Sequence, residues 1–158
     1  MNVHVLRRVQ TIARPLDIVF PFFARPENLE RISPQDIGFT ILTPGPIEMK
    51  AGTLIDYTIR VMGVPLRWTT LITTYDPPRS FVDEQIRGPY AFWHHRHVFR
   101  ETDDGTEILD EVHYALYGGL LAPLIHRLFV RKQLDKIFDH RARIIAREFM
   151  GEGAKVGS

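Results

Sequence analysis

The sequence predicts an α+β fold: a curved seven-stranded antiparallel sheet wrapped around one long C-terminal helix, with two short helices between strands one and two. Three observations carry this expectation. After about residue 37 and up to about residue 117 the chain runs in short β-prone segments, each closed by a turn signal. From Leu124 to Met150 no proline or glycine interrupts a pattern of apolar residues at helical spacing. Ahead of the strands lies a proline-punctuated stretch with short apolar clusters and no period of two.

The elements follow in order. Val3, Val5, Val9 and Ile12 mark a first strand that alternates imperfectly. "RPLDIVFPFFARPENLERISP" reads as helices over about 15–23 and 26–32, with Pro21 kinking or restarting the first. Six strand-like runs come next. "IGFTILT" ends at "PGP", "GTLIDYTIRVM" at "GVP", "LRWTTLITTY" at "DPP" and "SFVDEQIR" at "GPY". "AFWHHRHVFRE" ends at "TDDG" and "TEILDEVHYALY" at "GG". The tight connections suit hairpins and hence an antiparallel meander. In the terminal helix the apolar stripe is Leu124, Leu128, Leu134, Ile137, Phe138, Ile144, Ile145 and Phe149. At 1.5 Å per residue that helix is roughly 40 Å long. Residues 1–150 are expected to form one domain, and the glycine-rich tail 151–158 a flexible extension.

Composition narrows the functional classes. With 158 residues, 44% apolar, 25% charged and a net charge of +1, the chain is neither disordered by composition nor basic enough for a nucleic-acid binder. The absence of cysteine excludes disulfides, thiolate catalysis and cysteine-ligated metals. "MNVHVLRRVQTIA" reads as a strand and not a signal peptide, and no apolar run approaches a membrane span. A cytoplasmic protein without an integral membrane segment is expected.

A curved sheet closed by a single helix seldom fills its interior with side chains, which favours an internal cavity. Successive strand residues point to opposite faces, so "PYAFWHHRHVF" is not one cluster of three histidines. Trp93, His95, His97 and Phe99 share the face flanked by large aromatics. Phe92, His94, Arg96, Val98 and Arg100 share the face whose arginines need water. The inward histidines stand about 7 Å apart along the strand. Ile55, Tyr57, Ile59 and Val61, with Leu66, Trp68, Thr70 and Ile72, extend the inward surface. In "SFVDEQIR" alternation leaves both faces open: Phe81, Asp83 and Gln85, or Val82, Glu84 and Ile86.

The element order, together with "RPLDIVFPFFARPENLERISP", "VDEQIRGPYAFWHHRHVF", "GTEILDEVHYAL" and the terminal helix, resembles the START-like or SRPBCC superfamily. This is the superfamily of polyketide cyclase/dehydrase-like proteins with the helix-grip fold. The resemblance runs from about residue 3 to 149 and is closest to bacterial ligand-binding members of that group. It implies that Asp83 and Gln85 face inward, as do Asp110 and Tyr114. The implied ligand-binding set is Tyr57, Trp68, Asp83, Gln85, Trp93, His95, His97, Phe99, Asp110 and Tyr114. Its function would be that of a carrier or sensor for a hydrophobic or aromatic small molecule, such as a lipid, isoprenoid, quinone or polyketide-like metabolite.

Two alternatives stand beside it. The superfamily also contains cyclases and dehydratases, so His95 or His97, oriented by Asp83 or Asp110, is a candidate acid/base in a cofactor-free lyase. A protein-interaction module with a vestigial cavity is the other. A metal at His95 and His97 would need Asp83 or Asp110 as third ligand, and no metal is expected. Ser33 and Ser80 lack a nucleophile context, and there is no phosphate-binding glycine loop. The basic residues of the terminal helix, Arg127, Arg131, Lys132, Lys136, Arg141, Arg143 and Arg147, read as a solvated outer face. They leave room for transient contact with a membrane surface. Gly118 and Gly119, before the helix, suggest the hinge of a ligand gate.

Overall fold

The computed structural model describes residues 1–150; the tail read as flexible, residues 151–158, lies outside the described residues. The chain begins with strand β1 (His4–Ile12), followed by helices α1 (Leu16–Phe23) and α2 (Glu27–Ile32) and a single tight turn over Gln35–Ile37. Strands β2 (Thr40–Ile41), β3 (Leu54–Val61), β4 (Val64–Asp76), β5 (Ser80–Arg87), β6 (Tyr90–Thr102) and β7 (Gly105–Leu116) follow. The chain closes with α3 (Ala122–Ile125), a wider helical turn over His126–Val130, and α4 (Arg131–Met150). All seven strands form one antiparallel sheet in the order β1-β7-β6-β5-β4-β3-β2, the expected meander with β1 brought round to β7.

Local chemistry sets the connections. The β3–β4 hairpin turns through Met62 and Gly63, both at positive φ (52° and 79°), the twist-matched two-residue turn. At the β6–β7 turn Gly105 has φ of 131°, and a Cβ there would run into the Ile12 carbonyl. Register shifts between Thr69 and Thr70, between Ile72 and Thr74, and between Tyr90 and Phe92 bend the sheet. Helix α4 lies across the concave side. It is tied to β1 by Arg8–Asp135 (2.5 Å) and by Gln10 Nε2 donating to the Ala142 carbonyl (2.8 Å). At its far end Arg31 of α2 pairs with Glu148 (2.8 Å).

Two apolar clusters hold helix to sheet. Leu134 and Phe138 pack with Leu6, Ile55, Tyr57, Trp68, Trp93, Val112 and Tyr114. Ile145 packs with Ile12, Val19, Phe20, Ile32, Phe81, Phe99 and Ile108. Pro21 sits within α1 without ending it, and the helix buries Val19 and Phe20.

Two apolar sets that mark elements in the sequence turn outward in the fold. Val3, Val5 and Val9, which identified β1, are exposed, and its inward side chains are Leu6, Arg8, Gln10 and Ile12. The polar members of that face are satisfied by α4, so alternation of residue type does not report the direction. Leu124 and Leu128 are likewise exposed, while Ile125, itself 39% exposed, and half-buried Val130 border the cavity. The five-residue spacing of that pair matches the wide turn between α3 and α4, which rotates the inward face by one residue. Gly118 and Gly119 both have positive φ (120° and 52°), so the link from β7 into the helices relies on glycine at each. Among the described residues no helix is long and apolar enough to cross a membrane.

Candidate ligand cavity

Between the two clusters, where α4 bridges the concave sheet, lies a cavity of about 390 Å³. That is within the range of small-molecule sites. Its walls are largely aromatic and aliphatic. Tyr57 stacks on Trp68 at 5.7 Å, Trp68 meets Trp93 edge-on at 5.2 Å, and Tyr90 lies 4.8 Å from Trp93. Of the residues named from sequence, Tyr57, Trp68, Asp83, Trp93, His95, His97 and Asp110 line it.

The remaining three stand elsewhere. Gln85 turns back on its own hairpin, its Nε2 donating to the Tyr90 carbonyl (2.8 Å) and its Oε1 accepting from the Tyr90 amide (3.2 Å). Phe99 is buried under α1, with Phe20 at 5.1 Å and Phe23 at 5.3 Å. Tyr114 is fully buried, its hydroxyl 2.7 Å from His126 Nε2. All three project from the strands that carry the site, but other elements cover them. Sequence alternation cannot see those covering elements.

The polar centre is built from three adjacent strands. Register sets Asp83 opposite His95 across β5 and β6, and His97 opposite Asp110 across β6 and β7. The closest contacts run diagonally: His97 Nε2 to Asp83 Oδ2 at 2.6 Å and His95 Nε2 to Asp110 Oδ1 at 2.8 Å. His97 Nδ1 also reaches Asp110 Oδ1 at 3.2 Å, whereas His95 Nδ1 stands 3.6 Å from Asp83 Oδ2. Phe81 stacks on His97 at 4.1 Å, and Phe138 of α4 meets His95 at 5.7 Å.

Burial and pairing oppose one another here, and the balance differs at each group. Burial disfavours an imidazolium at His97, but the hydrogen bonds and charges of Asp110 and Asp83 outweigh it and push the pKa up to about 9. At His95 burial wins, reinforced by the neighbouring His97 cation, and the ring is held below its ordinary value despite both carboxylates. Burial also works against ionised Asp83 and Asp110. The histidine charges and hydrogen bonds prevail, and both carboxyls stay below their usual range. His97 is therefore the shared cation, donating from Nε2 to Asp83 with its Nδ1 3.2 Å from Asp110 Oδ1. Neutral His95 donates from Nε2 to Asp110, which leaves its Nδ1 lone pair free, an assignment that follows from the network.

Asp83, His95 and His97 each bring one donor atom within 4.8 Å of the others. The two imidazole rings, however, lie 3.7 Å apart and only 32° from parallel. The same atoms serve the carboxylate–imidazole network, with His97 Nε2 2.6 Å and His95 Nδ1 3.6 Å from one Asp83 oxygen.

This charge arrangement has a stability consequence. Between pH 6.5 and about 9 the folded chain retains the His97 proton that the unfolded chain has released. Its contribution is complete below pH 6.5 and is lost as pH rises through 9, on the order of 3 kcal/mol. His95 acts in the opposite sense, because below pH 6.5 only the unfolded chain takes up that proton. Urea unfolding followed from pH 5 to 10 should show greatest stability near pH 6.5. A curve that is flat between 7 and 9 would contradict a shared proton on His97.

Among the cavity residues that escaped sequence reasoning are Tyr90 and Arg141. Arg141, expected on the solvated face, instead lines the cavity beside Ala142. Its guanidinium lies 5.6 Å from the Phe138 ring. The signal was its position three residues after Phe138 and four after Ile137, on the buried stripe. Its charge type concealed it.

Comparison with known proteins gives likenesses of structure only. No protein-family model matches the sequence, and no curated protein matches it. Among solved structures, TTHA0849 from Thermus thermophilus superposes with a TM-score of 0.74 at 16% identity, covering 96% of this chain and 100% of that one. The Zhui aromatase/cyclase from Streptomyces sp. R1128 gives 0.69 at 15% identity, covering 98% and 100%. The major latex-like protein 151 of Panax ginseng gives 0.68 at 13%, covering 94% and 98%. At these identities the likeness shows the fold.

Proposed function

We propose that this chain, which has the helix-grip fold of the START-like superfamily, binds an apolar or aromatic small molecule between sheet and C-terminal helix, as a carrier or sensor. The observation that supports this reading most is the cavity itself: about 390 Å³, walled by Tyr57, Trp68, Tyr90 and Trp93 and floored by a buried polar cluster. Apolar walls provide affinity, and a few fixed polar groups provide orientation. Desolvating two carboxylates and an imidazolium is expensive, and an apolar core of the same volume would be at least as stable. Such a cluster makes physical sense where a ligand uses it.

The test is direct. N-phenyl-1-naphthylamine, a neutral dye that brightens in apolar surroundings, should bind the purified protein with saturable one-to-one stoichiometry. Native mass spectrometry should show a co-purifying molecule of small mass or a vacant site that the dye fills. A protein that neither carries a molecule nor takes up the dye would overturn the reading.

A specific observation favours a second reading, catalysis by proton transfer. Asp110 holds His95 Nε2 at 2.8 Å while His95 Nδ1 has no hydrogen-bond partner among the described residues, the arrangement of an oriented general base. One of the solved structures sharing this fold is an aromatase/cyclase. As a cyclase or dehydratase the chain would lose turnover in His95→Ala while still binding substrate. As a carrier, the same variant would change affinity alone.

A further inference from the structure

Among the described residues, two donors in the cavity wall have no acceptor. Trp68, only 6% exposed, buries its indole N–H without a hydrogen-bond partner, and the Nε of Arg141 is likewise buried and unsatisfied. The guanidinium makes one hydrogen bond among the described residues, a long one of 3.3 Å from Nη2 to the Ser33 hydroxyl. That hydroxyl itself donates to the Leu29 carbonyl at 2.6 Å. No carboxylate among the described residues comes within 4.0 Å of Arg141. The other buried or half-buried charges of the wall are engaged: Arg8 by Asp135 at 2.5 Å, and Asp83 and Asp110 by the two histidines. A half-buried cation whose Nε is sealed from water without a partner is costly unless something accepts from the rest of its planar fork. The fork matches a carboxylate.

We propose that Arg141 is the anchor of the ligand and that the ligand is an apolar acid, its carboxylate held by the Arg141 guanidinium and its hydrophobic body against the aromatic wall. This rests on the cavity being the ligand site, and names the chemistry of what enters it. An oxyanion in direct contact is nearer to the guanidinium than any carboxylate of the protein, so the attraction is not already spent. Ser33, whose hydroxyl steadies one end of the fork, positions it from the end of α2.

The experiment compares three isosteric probes: naphthalene-2-carboxylate, naphthalene-2-carboxamide and 2-naphthylmethylammonium. Each displaces N-phenyl-1-naphthylamine from the full chain. The carboxylate should bind tenfold or more tightly than the amide, with the ammonium weakest. In Arg141→Met the carboxylate and amide should converge to within about threefold, each read against that variant's own dye affinity. Should that variant fail to fold by circular dichroism, Arg141→Lys decides. It keeps the charge but not the fork, and should lose several-fold of the carboxylate preference. Equal binding of carboxylate and amide to the native chain, or a preference that survives both substitutions, would overturn the anchor and leave the cavity reading standing. Failure of the dye and of all three probes would overturn both.

Discussion

Replacing Asp110 with alanine is expected to lower the unfolding free energy by about 3–5 kcal/mol, the range for removing one partner of a buried charge network. For a chain of this size the melting temperature should fall by roughly 10 °C or more. Two groups lose their partner together. His95, 5% exposed, is left with a buried N–H and no acceptor, and His97 keeps its proton beside a single carboxylate. Asp110→Asn should cost less, because a carboxamide oxygen still accepts from one ring while the charge is gone. The neighbouring pair on the same strand provides the contrast. Glu111 faces outward and pairs with Arg7, which is 68% exposed, and Arg7→Ala should change stability by less than about 1 kcal/mol. Urea denaturation of the three variants against the native chain reads all of these. An Asp110→Ala variant within about 1 kcal/mol of the native chain would mean that the cluster is not the closed, charged network described above.

Filling the cavity from the helix side is expected to abolish ligand uptake without unfolding the chain. Ala142 lines the cavity next to Arg141, on a helix whose backbone there is fixed by Gln10 through the Ala142 carbonyl. In Ala142→Phe the new ring projects into open space in place of packed side chains. Dye affinity should drop by tenfold or more, while overpacking strain stays within the roughly 1–3 kcal/mol usual for such changes. A stability gain is the result if the ring fits the lumen well. Fluorescence titration with N-phenyl-1-naphthylamine and a thermal melt measure both. Undiminished dye binding would place the ligand elsewhere, and the exposed apolar residues Leu120, Leu121, Leu124 and Phe129 would then be the surface to consider.

Much of this architecture was legible in the sequence because the signals are local. Turn residues bound each strand, alternation divides β6 into a wet and a dry face, and glycine is placed where φ is positive at Gly63 and Gly105. The inward placement of Trp93, His95 and His97 needed nothing beyond period two and the chemistry of Arg96 and Arg100. Asp83 and Asp110 were less legible. Each lies in a strand where either face reads as buried, and the resemblance to a family decided between them. Gln85, Phe99 and Tyr114 were placed on the correct strands and assigned to the cavity, but a hairpin backbone, helix α1 and His126 cover them.

What the sequence by itself determined, then, is the order of elements and the two faces of each strand, because both follow from residue spacing along one chain. What only the tertiary structure decided is which side chains meet. The pairing of His97 with Asp83 and His95 with Asp110 depends on the register of three strands at once. The seating of Arg141 over the same cavity depends on the rotation of a helix whose inward face is reset by the wide turn at His126–Val130. Strand register and helix rotation are set by packing across the fold, and a change of one residue in either exchanges wall for surface.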